Sequence, residues 1–295
     1  MDVLDCLANL SNDEVFTSPV VVNRMLDTLP EALWSNPNAK FLDPFTKSGV
    51  FLREIGKRLM KGLATVIPDP QERLDHILGQ QLYGIAITQL TALMARRTLY
   101  CSKDTTELAH CLTDIFAQQG NPDGNIYFAP CEHTFVKGKC SYCGATEREF
   151  GAEQRTALEQ HAYLFIHNKN PYKEMQFDVI IGNPPYQMSD GGAQASAFPI
   201  YQFFIEQAIT LNPRYLCMIV PSRWFAGGRG LDDFREKMLN DKRVKEIHDF
   251  PDASEVFPGV EIKGGVNYFL WDRDYNGDCY IISYENNEIV SEMRR

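Results

Sequence analysis

The stretch Phe177-Asp178-Val179-Ile180-Ile181-Gly182-Asn183-Pro184-Pro185-Tyr186 joins an apolar run to a rigid polar turn. Its first five residues are typical of a buried strand, and Gly182 and Asn183 follow that strand directly. The two prolines fix their own backbone angles and therefore stiffen the turn. Ligands of α/β folds bind at the carboxyl ends of strands. The stretch therefore predicts a functional loop at one edge of a sheet.

Strand and helix patterns alternate on both sides of this loop. Predicted strands lie at residues 40–44, 82–87, 177–181 and 215–220, and predicted helices at residues 49–63, 88–100 and 198–211. Such alternation predicts an α/β fold with a doubly wound, mostly parallel sheet. Two β-rich runs follow at residues 267–271 and 279–283, with Asn276-Gly277 between them. Because Asn-Gly is a strong hairpin signal, we expect these runs to form an antiparallel edge hairpin.

Length and charge set limits on the class of protein. The chain has 295 residues, and no apolar run approaches the ~20 residues that a membrane span needs. Its start lacks the features of a signal peptide, so a cytoplasmic protein is expected. A net charge of −10 argues against binding nucleic acid by bulk attraction. One basic stretch is either a DNA-facing rim or an ordinary solvated surface: Arg223, Arg229, Arg235, Lys237, Lys242, Arg243 and Lys245.

The polar turn has the groups needed to methylate the exocyclic amine of a nucleobase. Such an amine is a weak nucleophile, because its lone pair is delocalised into the ring. Two acceptors aimed at its N–H bonds draw the nitrogen toward tetrahedral geometry, and the Asn183 side chain and the Pro184 carbonyl are suitable acceptors. Tyr186 offers a stacking surface for an extruded base. The alternative is a rigid Pro-Pro turn that ends in a packed tyrosine.

With these segments in this order, the chain resembles the γ-class N6-adenine DNA methyltransferases of bacterial restriction–modification systems. The ordered segments are Val15-Phe16-Thr17-Ser18-Pro19, residues 41–52 and Asn183-Pro184-Pro185-Tyr186. The resemblance covers residues 14–272 and is strongest to the methylase module of bifunctional restriction–modification enzymes. It implies a Rossmann-like methyltransferase fold, S-adenosylmethionine as cofactor and double-stranded DNA as substrate. It also implies that Asn183, Pro184, Pro185 and Tyr186 are catalytic.

The resemblance further implies a set of cofactor-binding residues. They are Phe16, Thr17, Ser18, Pro19, Asp43, Pro44, Phe45, Thr46, Ser48, Gly49, Ile85, Thr88, Asn125 and Ile126. Asp43 is expected to meet the cofactor's ammonium group or the water around it. Two departures stand out. Phe45, Thr46 and Lys47 replace smaller residues of the family's loop, and Ala86 occupies the position of its usual acidic ribose ligand, for which Thr88 is one substitute.

A segment near the C-terminus resembles the family's segment in which a second aromatic side chain stacks on the target base. It includes Val256-Phe257-Pro258 and the run from Lys263 to Trp271. Trp271 and Phe269 share a face by strand alternation, so either is a candidate for stacking on the base. Core packing is the alternative for both rings.

Three cysteines and two histidines in a segment with few large apolar residues predict a structural zinc site. Cys140 and Cys143 form a Cys-x-x-Cys pair followed by glycine, which is typical of a zinc knuckle. His133 is the expected third ligand, and His161 or Cys131 the fourth. A redox dithiol, or simply reduced surface thiols, is the alternative.

The domain prediction follows from these assignments. Residues 1–295 form one S-adenosylmethionine-dependent methyltransferase domain, residues 129–168 form a zinc-knuckle insertion within it, and we see no separate target-recognition domain. A recognition or endonuclease chain is a further candidate partner, and no membrane is expected. Two rival functions remain: a glutamine or RNA N-methyltransferase, and a non-catalytic DNA-binding subunit with the same fold.

Overall fold

The computed structural model describes residues 15–150, 163–167, 169–188, 198–286 and 288–294. Its main sheet has the strand order β13-β12-β10-β11-β9-β6-β1-β2-β3. Those strands are β1 (Phe41–Thr46), β2 (Leu82–Ala86), β3 (Ile126–Tyr127), β6 (Val179–Gly182), β9 (Tyr215–Pro221), β10 (Val244–Phe250), β11 (Val266–Asp272), β12 (Tyr280–Glu285) and β13 (Glu288–Arg294). Two small sheets pair β4 (Phe135–Val136) with β5 (Lys139–Cys140) and β7 (Gln187–Met188) with β8 (Phe198–Pro199).

Most neighbouring strands of the main sheet are parallel. The run from β3 through β2, β1 and β6 to β9 is parallel throughout, and β10 and β12 are parallel to each other. Only β11 and β13 run in the opposite direction. The predicted doubly wound, mostly parallel sheet is therefore confirmed.

Helices cover both faces of the sheet. The α-helices are α1 (Pro19–Leu26), α2 (Val50–Gly62), α3 (Pro70–His76), α4 (Gln89–Tyr100), α5 (Ile115–Gln118), α6 (Glu147–Phe150), α7 (Tyr201–Thr210) and α8 (Asp232–Asn240). Short 3-10 turns lie at Glu31–Ser35, Ser222–Phe225 and Ala253–Glu255, and a π turn at Ile77–Gln81. Apolar residues of α1, α2 and α4 share one core with Val179 and Ile181, whereas those of α7 and α8 share a second core with Ile180. The side chains of alternate residues in β6 thus pack into the cores on opposite faces of the sheet.

Local sequence signals explain where two helices begin. Ser18 caps α1 by accepting a hydrogen bond from the Val21 N–H, and Pro19 is the first helical residue, where no N–H is needed. Thr88 caps α4 in a reciprocal arrangement with Thr91. No helix in the described ranges has the length and hydrophobicity that a membrane crossing requires.

The edge hairpin is present, but its strands differ from those expected. Residues 267–271 and 279–283 do not pair, because β10 lies between β11 and β12. The connection that contains Asn276-Gly277 therefore joins two strands that have β10 between them, and it does not close a hairpin. The antiparallel pair at the edge is β12 with β13, which turns at about Asn286.

Candidate active site and metal centre

The side chain of Asn183 is fixed by the segment before α1. Its Nδ2 donates to the Val15 carbonyl and to Thr17 Oγ1, both at 3.0 Å. Because a backbone carbonyl can only accept, the amide nitrogen must face Val15, and this sets the orientation of the amide. Asn183 is 3% exposed, and within the described residues no group meets the geometry of a hydrogen bond to its Oδ1. The site therefore presents a buried acceptor with no donor of its own.

Tyr186 lies beside this acceptor at the end of the same loop. Its ring is buried and packs edge-on against Phe257, with 6.4 Å between the ring centroids. Burial raises the pKa of the Tyr186 hydroxyl well above its ordinary value, and the adjacent Asn183 amide acts in the opposite direction. Pro184 and Pro185 are also buried. The loop is therefore held by packing on both sides, as preorganised acceptors require.

Asp43, in the neighbouring strand β1, is a buried carboxyl with a raised pKa. It is buried near the end of β1, and its Oδ1 accepts from the Phe45 N–H at 3.2 Å. Burial raises the pKa of this carboxyl to about 7, although the Phe45 N–H and the Lys47 charge both lower it. A carboxylate with so little compensation is suited to meet a positive group brought by a ligand.

Two glycines allow close packing around the loops that follow β1 and β6. Gly49, at φ 77°, ends the loop after β1, and a Cβ there would lie 3.0 Å from the Ala95 Cα. Gly182 precedes Asn183, and a Cβ there would lie 2.7 Å from Asp43 Oδ1. A side chain at Gly49 would push the loop after β1 away from α4, and a side chain at Gly182 would collide with the Asp43 and Phe45 side chains.

A narrow cleft joins the predicted cofactor segments to the catalytic loop. It is lined by Phe16, Thr17, Asp43, Phe45, Lys47, Ser48, Gly49, Val50, Phe51 and Asn183. Lys47 is buried, and its Nζ donates to the Val15 carbonyl at 2.9 Å, so it links the β1 loop to the segment before α1. Val15 was not among the expected site residues. A backbone carbonyl leaves no mark in a sequence, so no motif could have revealed it.

Three of the predicted zinc ligands, His133, Cys140 and Cys143, lie together in the insertion. Four ligand atoms, from His133, Cys140, Cys143 and His167, all lie within 4.8 Å of one another. Cys143 Sγ is 3.3 Å from His133 Nδ1, Cys140 Sγ is 3.5 Å from His167 Nε2, and the two nitrogens are 3.3 Å apart. A tetrahedron built from Zn–N bonds of ~2.0 Å and Zn–S bonds of ~2.3 Å has edges of about 3.3–3.8 Å. The spacing fits that metal.

The fourth member of this group is His167, which the sequence interpretation missed. Cys131 lies outside the group, and its Sγ is 3.7 Å from the Glu132 carbonyl. His161 lies outside the described residues. His167 reaches the cluster because the turn at residues 164–167 folds back on the knuckle. Its Nδ1 is 2.7 Å from the Tyr163 carbonyl, which leaves Nε2 to face the thiols.

Comparison with known proteins identifies the family. The family profile of the Eco57I restriction-modification methylases matches residues 80–257. An uncharacterized adenine-specific methylase of Mycoplasma pneumoniae is 41% identical over 304 residues, covering 95% of this chain and 72% of the relative. The chain belongs to the Eco57I restriction-modification methylase family.

Solved structures show the same fold for this Eco57I-family methylase. The methyltransferase subunit of a type I restriction-modification system from Streptococcus thermophilus is 12% identical with a TM-score of 0.54, covering 96% of this chain and 52% of the subunit. A nuclease-deletion mutant of the type ISP enzyme LlaGI, in complex with a DNA substrate mimic, is 14% identical with a TM-score of 0.58. That match covers 92% of this chain and 24% of LlaGI, so this chain spans about half or less of each solved protein.

The methylase does not bring all expected cofactor residues to the cleft. Asn125 precedes β3, and its Nδ2 donates to the carbonyls of Leu78 and Gly79, while Ile126 is buried in the core. Ile126 pairs with Gly84 in the middle of β2, and neither Asn125 nor Ile126 is among the residues that line the cleft. The Asn125 amide is occupied in fixing the π turn.

The remaining residues expected to bind the cofactor have structural roles in helix capping, hydrogen bonding and strand packing. Ser18 and Thr88 are helix caps, with Pro19 as the first residue of α1. Thr46 Oγ1 donates to the Asp43 carbonyl at 2.8 Å. Pro44 and Ile85 are buried within β1 and β2. None of these six residues lines the cleft.

The two aromatic residues expected to stack on the base lie in the core. Trp271 and Phe269 are both fully buried in β11, and the Trp271 indole donates to Asp241 Oδ2 at 3.0 Å. They do share a face, as expected, but it is the face covered by α7 and α8. Neither ring can stack on a ligand without unfolding the sheet. Phe257, which contacts Tyr186, is the aromatic of that segment that borders the catalytic loop.

Proposed function

We propose that this methylase transfers the methyl group of S-adenosylmethionine to the exocyclic N6 amine of adenine in double-stranded DNA, as part of a restriction–modification system. The observation that carries the proposal is the buried Asn183 Oδ1. Its own nitrogen is held by Val15 and Thr17, so the oxygen is left to accept from a donor that arrives with the substrate. An adenine amine offers two such donor N–H bonds.

The residues of the cleft suit S-adenosylmethionine. Asp43 supplies a buried carboxyl of raised pKa for an ammonium group, and Gly49 lines the cleft with backbone at a φ of 77°, which leaves room for the methionine part. Phe16 and Thr17 complete the wall toward Asn183. When bound, the cofactor supplies an activated methyl on a sulfonium centre.

The chain's own groups then organise the acceptor nitrogen. Asn183 Oδ1 and the Pro184 carbonyl accept one hydrogen bond each from the N6 amine and draw its lone pair out of conjugation. Tyr186, backed by Phe257, holds the base plane. A nitrogen–carbon bond forms as the carbon–sulfur bond breaks, and the extra proton on nitrogen leaves to water. No general base with a tuned pKa is needed, because the methylated amine is strongly acidic until that proton departs.

The same proposal includes a structural zinc ion bound by His133, Cys140, Cys143 and His167. Support comes from the mutual distances, from a knuckle in which the Gly144 N–H donates to the Cys140 carbonyl, and from the Tyr163 carbonyl that orients His167. With four protein ligands no coordination position stays open for chemistry, so the ion would order the insertion at residues 129–168. A cytoplasmic setting, which the proposal also includes, keeps these thiols reduced.

Partners of the chain follow from the same proposal. DNA is the substrate, and a recognition or endonuclease chain is a candidate partner because matched solved structures include multi-subunit restriction–modification assemblies. The proposal does not specify the sequence that is methylated.

The experiment offers three acceptors to the purified chain with methyl-labelled S-adenosylmethionine. The acceptors are unmethylated bacterial genomic DNA, total RNA and a glutamine-containing peptide. The proposal predicts label in DNA alone. Label in RNA or in the peptide would show that the substrate is RNA or protein instead of DNA. Cofactor binding without transfer to any of the three would favour a non-catalytic subunit.

A further inference from the structure

A second cavity of about 440 Å³ opens beside the catalytic loop, and the mechanism above does not use most of its wall. It is bordered by the carboxyl end of β9, by the start of α7 and by the loop before β11. Its lining includes Tyr186, Tyr201, Arg223, Arg229, Glu261 and Lys263. The cavity is large enough for a small ligand of nucleotide size. Tyr186 therefore has the cofactor cleft near one side and this cavity on the other.

Three of the residues that line this cavity are cations, and the salt bridges of the described residues include none of them. Within the described ranges, Arg223 Nε is buried without a hydrogen-bond partner. By contrast, two other cations from the same basic stretch are paired. Lys237 binds Glu206 at 2.6 Å and Arg243 binds Asp241 at 2.7 Å.

The basic stretch that the sequence drew attention to is therefore divided in two. Lys237 and Arg243 belong to the ion pairs of the protein's own surface, whereas Arg223 and Arg229 face the catalytic edge. Arg223 is the best placed of the cavity's cations, because it lies in the turn that follows β9 and its charge reaches the buried Tyr201 hydroxyl. A fixed guanidinium with unused donors, next to an aromatic wall, is suited to a phosphate group.

We propose that Arg223 is a substrate-binding residue that grips a backbone phosphate of the target nucleotide and thereby sets the extruded adenine against Asn183 and Tyr186. The inference rests on the proposed DNA substrate and adds the anchor that holds it. Arg229 and Lys263 form the outer rim of the same anion site. A phosphate contact of this kind positions the nucleotide without reading its base.

The test measures initial rates of methyl transfer to unmethylated genomic DNA at several DNA and NaCl concentrations. Arg223→Ala should raise KM for DNA by roughly 10- to 100-fold, the effect of losing a hydrogen bond to a charged group. The slope of log kcat/KM against log salt should fall by about one, because one fewer phosphate is neutralised. Arg223→Lys should retain the salt slope with a smaller rise in KM. Affinity for S-adenosylmethionine, measured by calorimetry, should not change.

Lys237→Ala is the matched control, since it removes a cation of the same stretch that is already paired with Glu206. It should keep both KM and the salt slope of the wild type. If Arg223→Ala behaves like Lys237→Ala, or if it lowers kcat with no change in KM, the inference is wrong while the proposed function stands. If the wild-type chain itself places no label in DNA, the proposed function fails and the inference fails with it.

Discussion

At the scale of single residues, the account depends on the orientation of one amide. Asn183 donates both of its N–H bonds to the protein and keeps its oxygen for the substrate. Asn183→Ala should therefore lower the rate of methyl transfer by ~10²-fold or more, because one preorganised acceptor is lost. S-adenosylmethionine affinity, followed by calorimetry, should stay near the wild-type value. A variant that keeps more than about a tenth of the wild-type rate would contradict this role.

Thr17 orients that amide from a different segment of the chain. Thr17→Val removes one of two acceptors of Asn183 Nδ2, so the amide is held less firmly and kcat should fall about 3- to 10-fold, the effect of one hydrogen bond. Thr17→Ser keeps the hydroxyl and should restore kcat. The two variants are compared at saturating cofactor and DNA. Equal kcat values for them would show that the hydroxyl does not position Asn183.

The Asp43 carboxyl should make cofactor binding depend on pH. Since its pKa lies at about 7, the ionised form that attracts an ammonium group is gained as the pH rises from 6 to 8. The ratio of S-adenosylmethionine affinity in the wild type to that in Asp43→Asn should rise over that range, and taking the ratio corrects for titration of the cofactor itself. A parallel pH profile for the two proteins would exclude this role.

The same carboxyl affects the stability of the protein without cofactor. Its folded pKa of about 7 exceeds the ordinary value of 3.8, so the folded state binds the proton more tightly than the unfolded state. The contribution of this carboxyl to the free energy of unfolding is therefore fully present below about pH 4, and it is lost as the pH rises through about 7. At pH 8, Asp43→Asn should therefore melt at a higher temperature than the wild type, and the difference should vanish at low pH.

At the scale of elements, the proposed zinc ion should order the insertion. Cys140→Ser and His167→Ala should each lose zinc and melt the knuckle, whereas Cys131→Ser and His161→Ala should keep one zinc per chain. Elemental analysis of protein purified without chelators or a metal-binding tag measures this directly. Zinc retained in His167→Ala but lost in Cys131→Ser or His161→Ala would restore the ligand set expected from the sequence.

Local signals in the sequence were enough to predict several of these elements. Residues 88–100 were predicted as a capped helix, and the structure has α4 at Gln89–Tyr100 with Thr88 as its cap. The strand before Asn183 was equally clear, because an apolar run ends there at a glycine. In each case the deciding contacts lie within a few residues of one another, so the sequence contains them.

Elements that depend on distant contacts could not be predicted in this way. The strands at 267–271 and 280–285 are separated by β10, and only the packing of the whole sheet decides that order. Strand alternation placed Trp271 and Phe269 on one face but gave no sign of which layer would cover it. His167 reaches Cys140 across 27 positions, through a turn that no ligand spacing describes.

At the scale of the whole molecule, the loops that follow β1, β6 and β9 meet at one edge of the sheet. The β1 loop forms the cofactor cleft, the β6 loop carries Asn183, and the turn after β9 carries Arg223. Because β1 and β6 pair directly, as do β6 and β9, the proposed cofactor and substrate sites lie on neighbouring strands. The proposed zinc ligands Cys140 and Cys143 share a hydrophobic core with this edge, in which the Phe165 ring lies 6.1 Å from that of Phe45.

The chemical identity of the product tests the central claim most directly. Unmethylated genomic DNA is incubated with the chain and methyl-labelled S-adenosylmethionine, digested to nucleosides and analysed by mass spectrometry. The account predicts labelled N6-methyldeoxyadenosine as the product, and none with Asn183→Ala. Label in N4-methyldeoxycytidine, or no labelled nucleoside from a folded chain that binds the cofactor, would contradict it.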